Sequence, residues 1–375
     1  MSSSPEREWT PAPVGGGVAA GWSTYGADHG RTSGRPNASD LPDDATVEPF
    51  LQSGGYPDQQ PIWTDDGIVL GVETPADSQT ASGFHSFTRA AERQWVVPEM
   101  HGKAIPTQVG ETVFLTTAGQ TRAVDAMTGE QYWSAAYGIG RPQTGLTYAD
   151  GNLFVCDDGV VALDATSGEQ QWTTGGDHPG PFGTAIARKA VYAATTGDDP
   201  VVYRIDRESG NMDWITDLQT ESYAVPVVTD QGLCVTEKSG TLRSMDMVTG
   251  GEQWDVATGE TAHSPPAYGD GTVYFVPSQS ERLRAIDATN GEVVWEFSFD
   301  GGSPQTPTVT GEFVYLPTST DGGTVHKLDA ETGEKVTNWS LPQAPSSSLV
   351  LFDGSGLVNT GIATGEGRVY VLRGA

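Results

Sequence analysis

The chain is poor in cysteine, in lysine and in long apolar runs, and each shortage removes a class of protein. Its two cysteines, Cys156 and Cys234, fall in repeat units that are not adjacent, which excludes a disulfide scaffold and a cysteine-rich metal centre. They are expected to be half-buried free thiols. No stretch approaches the roughly 18 consecutive apolar residues of a membrane-spanning helix. The amino-terminal "MSSSPEREWTPAPVGGG" has neither the basic nor the apolar region of an export signal. The chain as written is therefore expected to be soluble and without direct membrane insertion, either cytoplasmic or exported behind a segment that precedes it.

Positive charge is scarce as well. Lys and Arg number 20 against 49 Asp and Glu, a formal net charge of -29, and only Lys103, Lys189, Lys238, Lys327 and Lys335 are lysines. Nucleic acid and anionic membranes are excluded as partners by that balance. The acidic excess is spread along the chain instead of forming a tail. Such a surface suits molar salt, where the screening length falls to about 3 Å. Helical periodicity is missing too, and turn signals come every few residues.

What the chain has is a repeat. "VVALDATSGEQQW" around Asp164 returns around Asp125, Asp206, Asp246 and Asp287, and once more from Asp329, where Trp339 arrives two residues late. Successive Asp positions are 39 to 42 residues apart. Hydrophobic residues make up only 36% of the chain, but 10 Trp, 12 Tyr and 11 Phe supply a core rich in aromatics. In each unit short apolar runs alternate with Gly or Asp turns. Asp-x-x-x-Gly suits a hairpin, because Asp accepts hydrogen bonds from the turn amides and Gly takes the left-handed conformation.

Units of this size, each a small antiparallel sheet, cannot bury both faces alone, and radial packing as blades is the stable solution. The fold expected is an all-β, eight-bladed propeller of four-stranded blades. The units are placed at 61–95, 106–133, 142–172, 181–214, 226–254, 266–295 and 307–339, after a flexible tail over 1–20. An eighth, 345–375, has inner strands but no Trp strand, so the stretch 21–35 around Trp22 is expected to complete it and close the ring. "GFHSFTRAAERQW", ending at Trp95, is a degenerate unit without the Asp or the Gly.

These repeats resemble those of quinoprotein-like propellers, whose motif is Ala-x-Asp-x-x-Thr-Gly-x-x-x-Trp. Ala123, Ala162 and Ala285 match its first residue, whereas Arg204, Ser244 and Lys327 depart from it; Gly129, Gly168, Gly210, Gly250, Gly291 and Gly333 all match. The resemblance implies that Trp133, Trp172, Trp214, Trp254 and Trp295 each dock against the motif of the neighbouring blade, a structural role. One branch of the family holds pyrroloquinoline quinone (PQQ) and Ca²⁺ in alcohol and sugar dehydrogenases, where a vicinal Cys-Cys pair is characteristic of the alcohol enzymes; this chain has no such pair. The other branch contains non-catalytic binding propellers of the BamB type, and the length and blade count fall nearer to it.

Catalytic signatures are few. No H-E-x-x-H, P-loop or G-x-S-x-G occurs. "GIGRPQTG" at 138–145 has no helix after it, the "DDG" triplets at 65–67 and 157–159 read as turns, and the N-glycosylation patterns at Asn37 and Asn338 are too short to weigh. The segments that cross from each Trp strand to the next unit's first strand should end at the mouth of the central channel. Residues His101, Lys103, Arg141, His178, Tyr223, His263 and Gln305 occupy those ends. Their basic and imidazole content suggests an anion-attracting or metal-binding mouth in an acidic surface. The expected function is that of a monomeric, non-catalytic scaffold for protein partners in high salt, needing no cofactor. The alternative is a PQQ- and Ca²⁺-dependent dehydrogenase, or a small-ligand site at the mouth.

Overall fold

Among the described residues thirty-two strands pair into eight antiparallel sheets of four, and the sheets form a propeller ring. The structure, a computed structural model, describes residues 33–34, 38–53, 55, 57, 59–74, 81–98, 104–117, 119–138, 145–178, 180–302, 304–361 and 367–374. Helix among the described residues is one 3₁₀ turn, Thr320–Gly322. Blade 1 runs from Ile62 to Pro98 and contains the degenerate unit; blades 2 to 7 follow in chain order. The first strands of neighbouring blades touch around the axis, as Thr147–Ala149 does with Thr184–Ala187. Ile62–Trp63 touches Val350–Phe352, which brings the last blade round to the first.

Blade 8 consists of Val350–Phe352, Ser355–Thr360 and Arg368–Arg373, with Thr46–Gln52 as its outermost strand. The place expected for 21–35 is therefore held by Thr46–Gln52, and residues 21–32 lie outside the described residues. Counting Trp strands misses this segment because it has no Trp. Phe50 and Leu51 supply its apolar face instead, packing with Trp63, Phe87 and Ala91 of blade 1.

Each motif builds one seam between blades. In "LDATSG" the Asp164 carboxylate accepts the N–H groups of Thr166 and Ser167 at 2.8 and 3.0 Å, and the Gly168 N–H closes the turn on Asp164 O. The indole N–H of the preceding blade's Trp then donates to the carbonyl one residue past the Asp. Trp95, Trp133, Trp172, Trp214, Trp254 and Trp295 reach Ala126, Ala165, Arg207, Met247, Ala288 and Ala330 in this way, at 2.8 to 3.4 Å. The motif Gly lies under the ring: a Cβ on Gly210 would come within 2.6 Å of Trp172. Its φ of 73° is left-handed, so Gly is required there both by backbone and by space.

The departures from the repeat are mutually consistent. The outer strand of blade 8 has no Trp, and the turn it faces in blade 1 has Ala91 at φ 64° in place of Gly, with Thr88 in the role of Asp. In blade 7 the Trp is displaced, Thr337 pairs with Lys327, and Trp339 pairs with Val325. Nearer the axis, threonines stitch the blades together. Thr107, Thr147 and Thr308 donate to Leu146 O, Thr184 O and Leu349 O of the next blade at 3.2, 3.0 and 2.7 Å, all in buried positions. These side-chain bonds join inner strands that share no sheet.

Candidate functional site

Blade topology puts two sets of loops at one end of the ring: the connections between second and third strands, and the crossings into each first strand. Blades 4 to 6 have the best-defined cluster there. Phe182, Tyr223 and His263 lie on three successive crossings, just before the first strands Thr184–Ala187, Val227–Val228 and Ala267–Gly269. Phe182 meets Tyr223 edge to face, with ring centroids 5.5 Å apart, and Tyr223 meets His263 at 5.2 Å. Phe182 is buried, Tyr223 half-buried and His263 exposed.

Charged groups hold this arc in place. The Tyr223 hydroxyl and Lys238 Nζ both donate to Glu221 Oε2 at 2.9 Å, and the Gly197 N–H donates to Glu221 Oε1 at 3.0 Å. The Lys238 hydrogen bond, helped by those from Gly197 and Tyr223, lowers the Glu221 carboxyl to about 2. Glu221 is thus ionised throughout the neutral range. Lys238 also sits over the Tyr223 ring at 5.2 Å, where a cation is attracted to the π face.

Behind these residues is a fully buried carboxylate. Glu237 accepts Arg243 Nε and Nη2 at 3.0 and 2.8 Å and the Thr220 N–H at 2.7 Å, and Arg243 also pairs with Glu252. The hairpin bend 237–241 binds both crossings. Lys238 N–H donates to Glu221 O, Ala262 N–H donates to Lys238 O, and Thr258 N–H donates to Gly240 O. A buried ion pair with its remaining hydrogen bonds satisfied fixes geometry more than it adds net stability. Here it fixes the loops that present Tyr223 and His263.

Of the seven mouth residues named from the sequence, His101, Lys103 and Arg141 lie outside the described residues, as does most of "GIGRPQTG". Tyr223 and His263 are brought together. His178 closes a separate turn through its N–H to Gly175 O, and Gln305 ties two crossings by donating from Nε2 to Pro345 O at 3.4 Å. Sequence reasoning passed over Phe182, Glu221, Lys238 and the Glu237–Arg243 pair; an aromatic two residues ahead of a first strand was the only signal for Phe182. Exposed Asp198 and Asp199 lie on the connection between the second and third strands of blade 4, and exposed Asp217 ends its outer strand Met212–Asp217.

The chemistry of a quinone and Ca²⁺ was tested against these side chains. Among the described residues no group of three or more His, Cys, Asp or Glu is placed to hold a metal ion. Cys156 and Cys234 form no disulfide and are buried, not half-buried, in the second strands of blades 3 and 5.

Comparison with solved structures defines the class first. BamB from Moraxella catarrhalis superposes with a TM-score of 0.67 at 19% identity, over 87% of this chain and 98% of that one. Quinohemoprotein alcohol dehydrogenase from Comamonas testosteroni gives 0.72 at 15% identity, over 95% and 81%. Both likenesses are of fold: a PQQ-like-repeat propeller. The family model described as outer membrane protein assembly factor BamB matches residues 84–195, 157–264 and 238–374, and the chain belongs to that family. Among curated proteins, the tetrathionate hydrolase of Acidithiobacillus ferrooxidans is 24% identical over 282 residues, which is 74% of this chain. The chain spans about half, 52%, of that relative's length and smaller shares of the other curated relatives. Among the described residues no helix is long and apolar enough to cross a membrane.

Proposed function

We propose that this propeller is a non-catalytic binding scaffold that engages protein partners through its loop ends and works in a salt-rich medium. The observation that supports it best is the family model described as outer membrane protein assembly factor BamB, which matches residues 84–195, 157–264 and 238–374. A surface of net charge -29 with five lysines supports the salt-rich setting. The second reading is a quinone-dependent dehydrogenase or small-ligand propeller, favoured by the fold likeness to the quinohemoprotein enzyme.

Calorimetric titration with PQQ plus Ca²⁺ in molar KCl separates the two. The scaffold reading predicts no saturable heat, together with recovery of a cross-linked protein partner from cells expressing the tagged chain. Saturable quinone binding with dye-linked oxidation of an alcohol or sugar would replace it by the second reading.

A further inference from the structure

The aromatic arc across blades 4 to 6 is more ordered than a solvated loop cluster requires. A half-buried tyrosine and an exposed imidazole are held in edge-to-face contact on separate crossings. Their crossings are bound by one hairpin bend whose Glu237 is completely buried with Arg243. Side chains fixed in this way from behind lose little entropy when a ligand arrives, which is the property of a built recognition surface. Asp198 and Asp199 follow Gly197, whose N–H donates to Glu221, and Asp217 precedes Leu218, whose N–H donates to Pro200 O of the same loop; all three aspartates are exposed, while Lys238 is engaged by Glu221.

We propose that this arc binds an extended, positively charged, proline-bearing segment of a partner protein. The inference rests on the scaffold reading and names the partner chemistry. The half-buried Tyr223 and exposed His263 rings, at 71° to one another and backed by buried Phe182, present an edge and a face against which a proline ring packs. A polyproline II segment arrives already ordered and with its carbonyls solvated, so it needs no strand edge. Lysine or arginine in the segment is selected by the carboxylates beside the arc. Acidic segments are repelled by the same groups.

The test uses the full chain in KCl sufficient to keep it folded, with a short synthetic Lys-Pro repeat peptide carrying a fluorophore. A lysine-only peptide of equal charge and a Glu-Pro repeat are the controls. Saturable binding of the Lys-Pro peptide is expected, with both controls at least about tenfold weaker, the ratio equivalent to about 1.4 kcal/mol. His263→Ala, at an exposed position, and Tyr223→Ala should each weaken binding by about tenfold, as loss of an aromatic anchor does. Lys238→Gln should tighten it, by freeing Glu221 for the peptide. Equal binding of the lysine-only peptide, or unchanged affinity in His263→Ala with the fold intact by circular dichroism, overturns the proposal. If the Lys-Pro peptide does not bind while partner capture persists, this inference fails and the scaffold reading stands; loss of partner capture itself would sink the scaffold reading.

Discussion

At the scale of the residue, six of the seams depend on one Gly under one Trp. Gly210→Ala must place a Cβ against Trp172 and hold Ala at a left-handed φ, and we expect a loss of about 1–3 kcal/mol by urea unfolding. The same substitution in a Trp172→Ala background should cost less, because only the backbone strain remains. Strict additivity would mean that the ring and the Gly are not coupled. Blade 1 already shows the tolerated form of this change, with Ala91 in the left-handed region facing a strand that has no Trp.

A second residue-scale expectation concerns pH. His326 is buried, its Nε2 lies 3.1 Å from Thr318 Oγ1, and its ring packs against Phe297 and Phe299. Burial, with a contribution from Lys335, lowers it from 6.5 to about 4. Because the unfolded chain takes the proton first, stability is full above pH 6.5 and falls as pH drops toward 4, by up to about 3 kcal/mol. His326→Gln should flatten thermal stability over that window. Below it, the motif carboxylates Asp206, Asp246 and Asp329, each lowered chiefly by backbone hydrogen bonds in its turn, add a further acid loss. A melting temperature equally pH-dependent in wild type and His326→Gln would refute the assignment to this imidazole.

At the scale of the element, the segment before Thr46 takes the place of a missing turn. Ser33 O accepts the Val309 N–H, Asp40 accepts Thr310 Oγ1 at 2.6 Å and the Tyr315 hydroxyl at 3.1 Å, and Tyr315 Oη in turn accepts the Leu41 N–H. Buried Lys327 donates to Leu41 O at 2.8 Å and to Asp43 at 2.6 Å. These contacts run from the first strand of blade 7 to its third, beside Trp339, and lead into the strand that closes blade 8. Lys327→Met leaves Asp43 exposed but Leu41 O without its donor, and should cost about 1–3 kcal/mol. Tyr315→Phe should cost about 1 kcal/mol, measured in the same unfolding assay. No change in either would make the segment a passive neighbour.

That segment also marks where the sequence stopped being legible. Blade number, strand order and the seven Trp-bearing units follow from turn chemistry and spacing, because each motif solves the same local problem of capping a hairpin under an indole. The closing strand "TVEPFLQ" solves a different one. It joins the two ends of the chain, so it has no hairpin, needs no Asp or Gly, and carries no repeat signal. Tyr223 and His263 stand at the same short offset before a first strand, which can be counted in the sequence. Lys238 and Glu237 could not be found that way, since their contacts with Glu221 and Thr220 join the hairpin bend to a crossing that only the folded ring brings beside it.

At the scale of the whole molecule, charge and architecture act against each other. The ring is held by many small seams, six with an indole over a turn and three with an inner threonine among the bonds described, and none of them is strengthened by salt through direct pairing. The surface carries a net charge of -29, and the described ion pairs are mostly exposed or half-exposed, which limits each to a small contribution. Like charges therefore repel across neighbouring outer strands and loops, with a range of about 10 Å in dilute buffer but only about 3 Å in molar salt. Lowering KCl from about 2 M to about 0.1 M should lower the melting temperature by an amount on the order of 10 °C, with no change in ligand or pH. An uncharged osmolyte, which strengthens burial by exclusion but screens no charge, should restore less of it than KCl does. A melting temperature independent of KCl would mean that the acidic surface serves solubility alone, and the salt-rich setting would then lose its physical support.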